Sequence, residues 1–244
     1  MAANIPPVSR LSSRLIRVLC SNPGPMTLQG TNTYIIGTGK RRILLDAGEQ
    51  DDIQYLKILE DILKEENIDF EHVIVTHWHH DHIGGVHNVV NRFNNGCKVW
   101  KFNRLDPPDL PLPDNIPLNY LKDGEEIGTE GATLRVIHTP GHTKDHIVLK
   151  LLEDNSLFSG DCILGEGTAV FEDLHDYMNS LRRILELKPT CIYPGHGPVV
   201  EDTPKNLHNA AALNINHHLC KLLKEKKVLQ CGSKWKYNTL DSNL

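Results

Sequence analysis

Several absences narrow this 244-residue chain before any motif is read. No apolar run approaches the roughly 18 residues that a membrane span needs, so no membrane partner is expected. The six cysteines, Cys20, Cys97, Cys162, Cys191, Cys220 and Cys231, form no C-x-x-C pair and no regular spacing. That argues against a disulfide framework or a cysteine-built zinc knuckle and fits a reducing compartment. There is no excess of basic residues: the formal charge of −5 argues against a uniformly basic nucleic-acid binder, while leaving room for one basic face or a metal-centred positive site. No internal repeat or low-complexity tract interrupts the chain, and nothing in it calls for an obligate protein partner. The length and a hydrophobic content of 39% suffice for one large α/β domain with a small appendage.

A further absence is local. No acidic residue precedes Asp46, whereas Arg10, Arg14, Arg17, Lys40, Arg41 and Arg42 do. A basic, acid-free start resembles an organellar targeting sequence. However, residues 14–19 alternate well enough to form the first strand, so any such signal overlaps folded sequence.

What is present centres on Thr76 to Gly85, T-H-W-H-H-D-H-I-G-G. His77, His79, Asp81 and His82 follow directly on the apolar run His72-Val73-Ile74-Val75, which reads as a buried strand. In a chain leaving an extended strand, residues 77 and 79 project to the same side and can share one ion. Asp81 and His82 lie past the turn, within reach of a second, and Gly84-Gly85 gives the backbone room to start a helix close by. Three later β-like runs each end in another potential ligand: His142 after Pro140-Gly141, Asp161 after Ser159-Gly160, and His196 after Pro194-Gly195. Strands that deliver ligands from the same end define one edge of a sheet core.

The remaining pattern predicts a hairpin from runs 32–37 and 41–46, and an amphipathic helix over 52–67 with Ile53, Leu56, Leu59 and Leu63 inward. A short helix over 86–93, a strand over 97–102 and a helix over 174–187 follow. The five prolines between Asp106 and Pro117 exclude helix and central strand there. Asp46 either orients a ligand histidine or only begins a turn, and Cys162 is expected to be a packed thiol.

In this order, H-x-H-x-D-H, T-P-G-H-T, S-G-D and P-G-H-G-P resemble the metallo-β-lactamase superfamily over roughly residues 10 to 200. The resemblance implies a four-layer αββα sandwich, of class α/β (α+β), with two zinc ions per chain. Carried over residue by residue, it assigns His77, His79 and His142 to the first ion, Asp81, His82 and His196 to the second, and Asp161 to a bridge. His80, His87, His138 and His146 match no ligand position and read as ordinary turn, strand or surface histidines.

The donor chemistry agrees: imidazole and carboxylate without cysteine suit zinc, with each ion left open to water or substrate. Two such ions share a hydroxide of lowered pKa and polarise a phosphoryl or carbonyl oxygen. Asp81 is the candidate for orienting that hydroxide and passing a proton.

Metal chemistry alone permits β-lactam, thioester, lactone or phosphodiester hydrolysis. Longer stretches, at 22–34, 120–124, 130–136 and 158–173, are similar to an RNA-cleaving branch of the superfamily. That likeness implies an endoribonuclease acting on single-stranded RNA in the mitochondrial matrix; the runner-up is a thioester hydrolase of the glyoxalase II kind, or a catalytically impaired RNA-binding form. The 34 residues between Asp161 and His196 leave no room for a large inserted domain, so the loops at 22–33 and 165–168 and the C-terminal region are the expected RNA contacts.

The expected division is a catalytic domain over 1–200 and a shortened, incomplete winged-helix-like appendage over 201–244. In that branch a long helix precedes the winged unit, whereas here Val199 to Asp202 runs at once into Thr203-Pro204. Leu207, Ala211, Ile215, Leu219 and Leu222 form an apolar stripe. Lys221, Lys224, Lys226, Lys227, Lys234 and Lys236 follow it, as an RNA-contacting arm with Trp235 and Tyr237 as stacking groups or as a solvated helix end.

Overall fold

The computed structural model describes residues 4–93 and 96–201, together with short pieces at 223–224, 228–231 and 234–237. Seven strands form the first sheet in sequence order: β1 (Val8–Ser12), β2 (Leu15–Leu19), β3 (Asn32–Ile36), β4 (Arg41–Leu45), β5 (Asp69–Val75), β6 (Lys98–Phe102) and β7 (Leu118–Leu121). The first four pair antiparallel, and β4 to β7 run parallel. The second sheet holds β8 (Glu126–Thr129), β9 (Ala132–His138), β10 (Ile147–Leu151), β11 (Ser156–Gly160) and β12 (Ile192–Pro194), ordered 12-11-10-9-8.

Period-two alternation sorts the strand side chains into layers. Ile43 and Leu45 of β4 meet Ile147, Leu149 and Phe158 in the core between the sheets. Leu44 points the other way, among Val73, Leu59 and Val89, onto helices α1 (Ile53–Glu66) and α3 (Val86–Arg92). On the far side Val148 and Leu157 pack against Tyr177, Leu181 and Ile184 of α4 (Leu174–Leu187). The result is helix, sheet, sheet, helix, the expected four layers.

Local signals set the helix ends. Asp52 caps α1 by accepting from Tyr55 N at 3.0 Å, and Asn67 ends it in the left-handed conformation at φ 51°. Asp173 caps α4 by accepting from Asp176 N at 2.9 Å. Two expectations shift. Ile53, placed inward from its spacing, is 75% exposed, and Tyr55 and Ile62 complete the buried face instead. The first strand is β1, one strand ahead of the 14–19 run; its side chains are half exposed, so its polar residues hid it. The proline-rich stretch is a loop with one short 3-10 turn at Pro113–Asn115.

Beyond Glu201, strands β13 (Val228–Cys231) and β14 (Lys234–Tyr237) pair as an antiparallel hairpin. Of the lysines from 221 to 236 read as an RNA-contacting arm or a solvated helix end, Lys234 and Lys236 thus lie on a hairpin strand and not on a helix. The apolar stripe at 207–222 lies outside the described residues.

Candidate metal centre

The seven ligand candidates arrive from strand ends at one edge of the sandwich. β5 ends at Val75, and the chain turns through Thr76 to His79 into α2 (His80–Ile83), which carries Asp81 and His82. His142 sits in the turn joining β9 to β10, Asp161 directly follows β11, and His196 lies two residues past β12. Glycine makes the convergence sterically feasible. A Cβ on Gly195 would lie 2.5 Å from Asp161 Oδ1 and 3.0 Å from His82 Cε1, and one on Gly85 would lie 2.1 Å from the Ala47 carbonyl.

The side chains form two clusters that share a carboxylate. In the first, His77 Nε2 and His79 Nδ1 are 3.0 Å apart, and His142 Nε2 lies 3.2 Å and 3.0 Å from them. Asp161 Oδ2 stands 3.6 Å from His142 Nε2. In the second, Asp81 Oδ2 is 3.3 Å from His82 Nε2 and 3.1 Å from His196 Nε2. Asp161 Oδ1 faces the same two nitrogens at 3.3 Å and 3.4 Å. Asp161 therefore turns one oxygen to each cluster.

Whether these groups suit a metal pair is decided by what their outer atoms do. His142 Nδ1 faces the Val170 carbonyl at 2.5 Å, His82 Nδ1 faces Asp46 Oδ2 at 2.9 Å, and His196 Nδ1 faces the Gly30 carbonyl at 3.3 Å. Carbonyl and carboxylate oxygens only accept, so each Nδ1 carries the hydrogen and each ring, once neutral, turns a bare Nε2 inward. With the rings neutral, lone pairs point at lone pairs. Buried His82 Nε2 and Asp161 Oδ1 have no hydrogen-bond partner at all. Ligand atoms around a tetrahedral zinc with bonds of about 2.0–2.1 Å stand about 3.3–3.4 Å apart, close to these separations. The donors fit a cation in each cluster.

The electrostatics point the same way. Burial drives His77 well below its ordinary pKa and His79 down to about 4, with neighbouring imidazoles adding to it. Burial, the largest single influence, would lower His82 and His196, but the surrounding carboxylates together outweigh it, Asp161 with Asp46 and Asp81 at His82 and Asp161 with Asp81 at His196, and His196 rises to about 9. Asp161 and Asp81 are held below the usual carboxylate range because His82 and His196 overcome their burial. Protons here answer a demand for positive charge that metal ions would meet.

Two residues outside the seven hold the site together. Asp46 accepts from Thr76 N at 2.8 Å as well as from His82, which selects the orienting role over that of a mere turn residue. His146, expected to be an ordinary histidine, is fully buried, and its ring centroid lies 5.2 Å from that of His77. Its Nε2 accepts from Asp161 N at 3.1 Å while Nδ1 meets Thr139 Oγ1 at 2.9 Å. The signal available in the sequence was its place directly before an apolar run, the mirror of Thr76-His77 directly after one. His80, His87 and His138 lie outside both clusters, and Cys162 is buried as expected.

Above the clusters lies an open groove of about 580 Å³. His79, Asp81, His142, Asp161 and His196 form its floor, Pro25, Met26 and Leu28 one wall, and the stretch from Leu164 to Val170 the other. Asp81 is steadied by Thr31 Oγ1 at 3.2 Å.

The chain belongs to the metallo-beta-lactamase superfamily, whose description matches residues 26–196; a beta-lactamase associated winged helix domain matches residues 200–235. It is thus a member of a metal-dependent hydrolase superfamily, with a His/Asp cluster compatible with a dinuclear site. It is similar to the Beta-lactamase-like protein 2 homolog of Drosophila melanogaster, 46% identical over 273 residues and covering 93% of each chain. That aligned span exceeds the 244 residues here, so the relative carries residues without a counterpart in this chain. The Caenorhabditis elegans protein of the same name is 44% identical, over 93% of this chain and 76% of the relative. A metallo-beta-lactamase family protein from Thermus thermophilus shares the fold at a TM-score of 0.68 and 20% identity, over 93% of this chain and 99% of that one.

Proposed function

We propose that this hydrolase is a two-zinc endoribonuclease that cleaves phosphodiester bonds in single-stranded RNA within the mitochondrial matrix, without an obligate protein partner. The observation that carries the reading is the groove: both clusters lie on the floor of an open channel between two loops, which suits a strand passing through. The winged-helix match over residues 200–235, with six lysines between Lys221 and Lys236, adds a basic segment for the strand beyond the cut. On the targeting side, β1 and β2 lie within the basic start of the chain, so an address there stays on the folded protein.

In this reading His77, His79 and His142 would hold one zinc and Asp81, His82 and His196 the other, with Asp161, which turns one oxygen to each cluster, shared between them. Bound there, the ions would supply Lewis acidity and water of lowered pKa. Asp46 and the Val170 and Gly30 carbonyls fix the Nδ1–H tautomers of His82, His142 and His196, so that Nε2 is the nitrogen each ring offers inward. Asp81 turns Oδ2 toward Thr31 and His196. Its other oxygen receives the proton released by the attacking water and passes it to the leaving oxygen. The Gly165–Thr168 segment and the 22–31 loop flank the phosphodiester backbone.

One observation favours a second reading. Among the described residues no lysine or arginine lines the groove, and Pro25, Met26, Leu28, Leu164, Ala169 and Val170 make its walls apolar. Such walls also suit the acyl part of a thioester. Purified zinc-loaded protein offered single-stranded RNA, a glutathione thioester and a β-lactam, beside a His77→Ala control, separates the two. RNA cleavage lost in the control supports the nuclease, and thioester turnover without RNA cleavage overturns it.

A further inference from the structure

Lys101, next to the end of β6, is fully buried. Its Nζ lies 2.7 Å from Asp109 Oδ1 and 2.7 Å from Asp145 Oδ2, and it donates to the Phe102 carbonyl at 2.8 Å. Asp145 is fully buried too, and neither of its oxygens has an aligned hydrogen-bond partner, so its charge is balanced by the Lys101 ammonium. Such a cluster is a poor device for stability alone, because desolvating ions offsets most of their attraction and apolar replacements often fold as well.

Its position gives it another use. Asp145 stands three residues after His142 and immediately before His146, in a turn closed by Thr139 N donating to the His146 carbonyl at 2.8 Å. Asp109 in the proline-rich loop accepts from Arg104 N at 3.1 Å. The Arg104 guanidinium lies 4.0 Å from the ring centroid of Trp78, the residue between His77 and His79. Both routes from Lys101 lead to the same three imidazoles, and the first also adjoins His146, whose Nε2 accepts from Asp161 N at 3.1 Å. Asp81 and His82 ride on α2, and His196 follows β12, so neither route passes through them.

We propose that Lys101 is a positioning residue for one ion of the pair: through Asp145 and through Asp109, Arg104 and Trp78 it fixes the His77, His79 and His142 cluster, and leaves the Asp81, His82 and His196 cluster to other supports. This rests on the two-metal reading of the site.

The test is a stepwise zinc titration of the full chain against a chromophoric chelator, with cobalt absorption spectra and melting curves of metal-free and loaded protein. In Lys101→Met, one equivalent weakens by about 10–100-fold, the usual effect of removing an outer support, while the other keeps its affinity. Because this variant leaves buried carboxylates uncompensated, Lys101→Met/Asp109→Asn/Asp145→Asn is measured beside it. The triple variant regains the melting temperature but not the lost affinity, and its cobalt spectrum departs from wild type at one ion only. Wild-type affinity for both equivalents in either variant overturns the proposal, as does a parallel loss of both equivalents in the triple variant. A wild-type chain binding fewer than two ions would instead refute the two-metal reading beneath it.

Discussion

Replacing Asp46 by Asn probes how the site is held without touching a ligand. Asp46 sits at φ 59°, a left-handed conformation that asparagine also tolerates, so the backbone has no reason to move. Its carboxylate accepts from Thr76 N at 2.8 Å through Oδ1 and from His82 Nδ1 at 2.9 Å through Oδ2. An amide offers one accepting oxygen and one donating nitrogen, so one buried donor must face an N–H. A buried donor left unpaired costs about 1–3 kcal/mol. Loss of a carboxylate behind a ligand histidine costs roughly 10–100-fold in metal affinity, about 1.4–2.7 kcal/mol at 1.36 kcal/mol per tenfold, so the two estimates agree. The ion held by His82 should therefore weaken by that factor in a competition titration, and the metal-free chain should melt at lower temperature. If Asp46→Asn binds both ions with unchanged affinity and melts as wild type does, the argument that this carboxylate sets the His82 tautomer is wrong.

Other substitutions test separate links. Gly195→Ala puts a Cβ 2.5 Å from Asp161 Oδ1, and it should lose at least a hundredfold in hydrolytic rate and bind less metal; a fully active variant would contradict the packing. Glu166, exposed on the groove wall, becomes attractive to a phosphate on replacement by Lys; RNA cleavage should gain affinity and its log–log salt slope should steepen by about 0.7, whereas no change would place the strand elsewhere. Metal-free protein should be most stable near pH 6.5. Burial depresses His79 to about 4, so the stability that depends on its neutral ring is present above 6.5 and is lost as pH falls through 4. Asp161 and Asp81 together outweigh burial to raise His196 to about 9, so that contribution is full below 6.5 and is lost as pH rises through 9. Melting temperatures of chelator-treated protein that rise steadily from pH 4 to 9 would contradict this balance.

The layers were legible because the buried strands are short apolar runs, several of them closed by glycine or proline as at Gly37, Pro140, Gly160 and Pro194, and the ligand candidates were legible because each stands just past such a run. What the sequence hid has physical causes. β1 is a half-exposed edge strand whose Ser9, Arg10 and Ser12 dilute the apolar signal. Ile53 lies in the first helical turn, where spacing alone does not fix which side faces the sheet. Lys101 is a polar group buried by tertiary packing, and no local pattern separates it from surface lysines; His146 is buried likewise, and its place directly before the β10 run was the one signal it left. In the C-terminal hairpin, Lys234-Trp235-Lys236-Tyr237 alternates with the period of a strand, a signal that the count of lysines obscured.

The central claim is that two cations sit between these seven side chains. Metal content by inductively coupled plasma mass spectrometry, on protein purified without added metal and then reconstituted with zinc, tests it directly. The wild-type chain should hold two ions, and His196→Ala should retain the one bound by His77, His79 and His142 while losing the other. A wild-type chain that takes up no more than one ion, or a His196→Ala variant that still holds two with native affinity, would contradict the account.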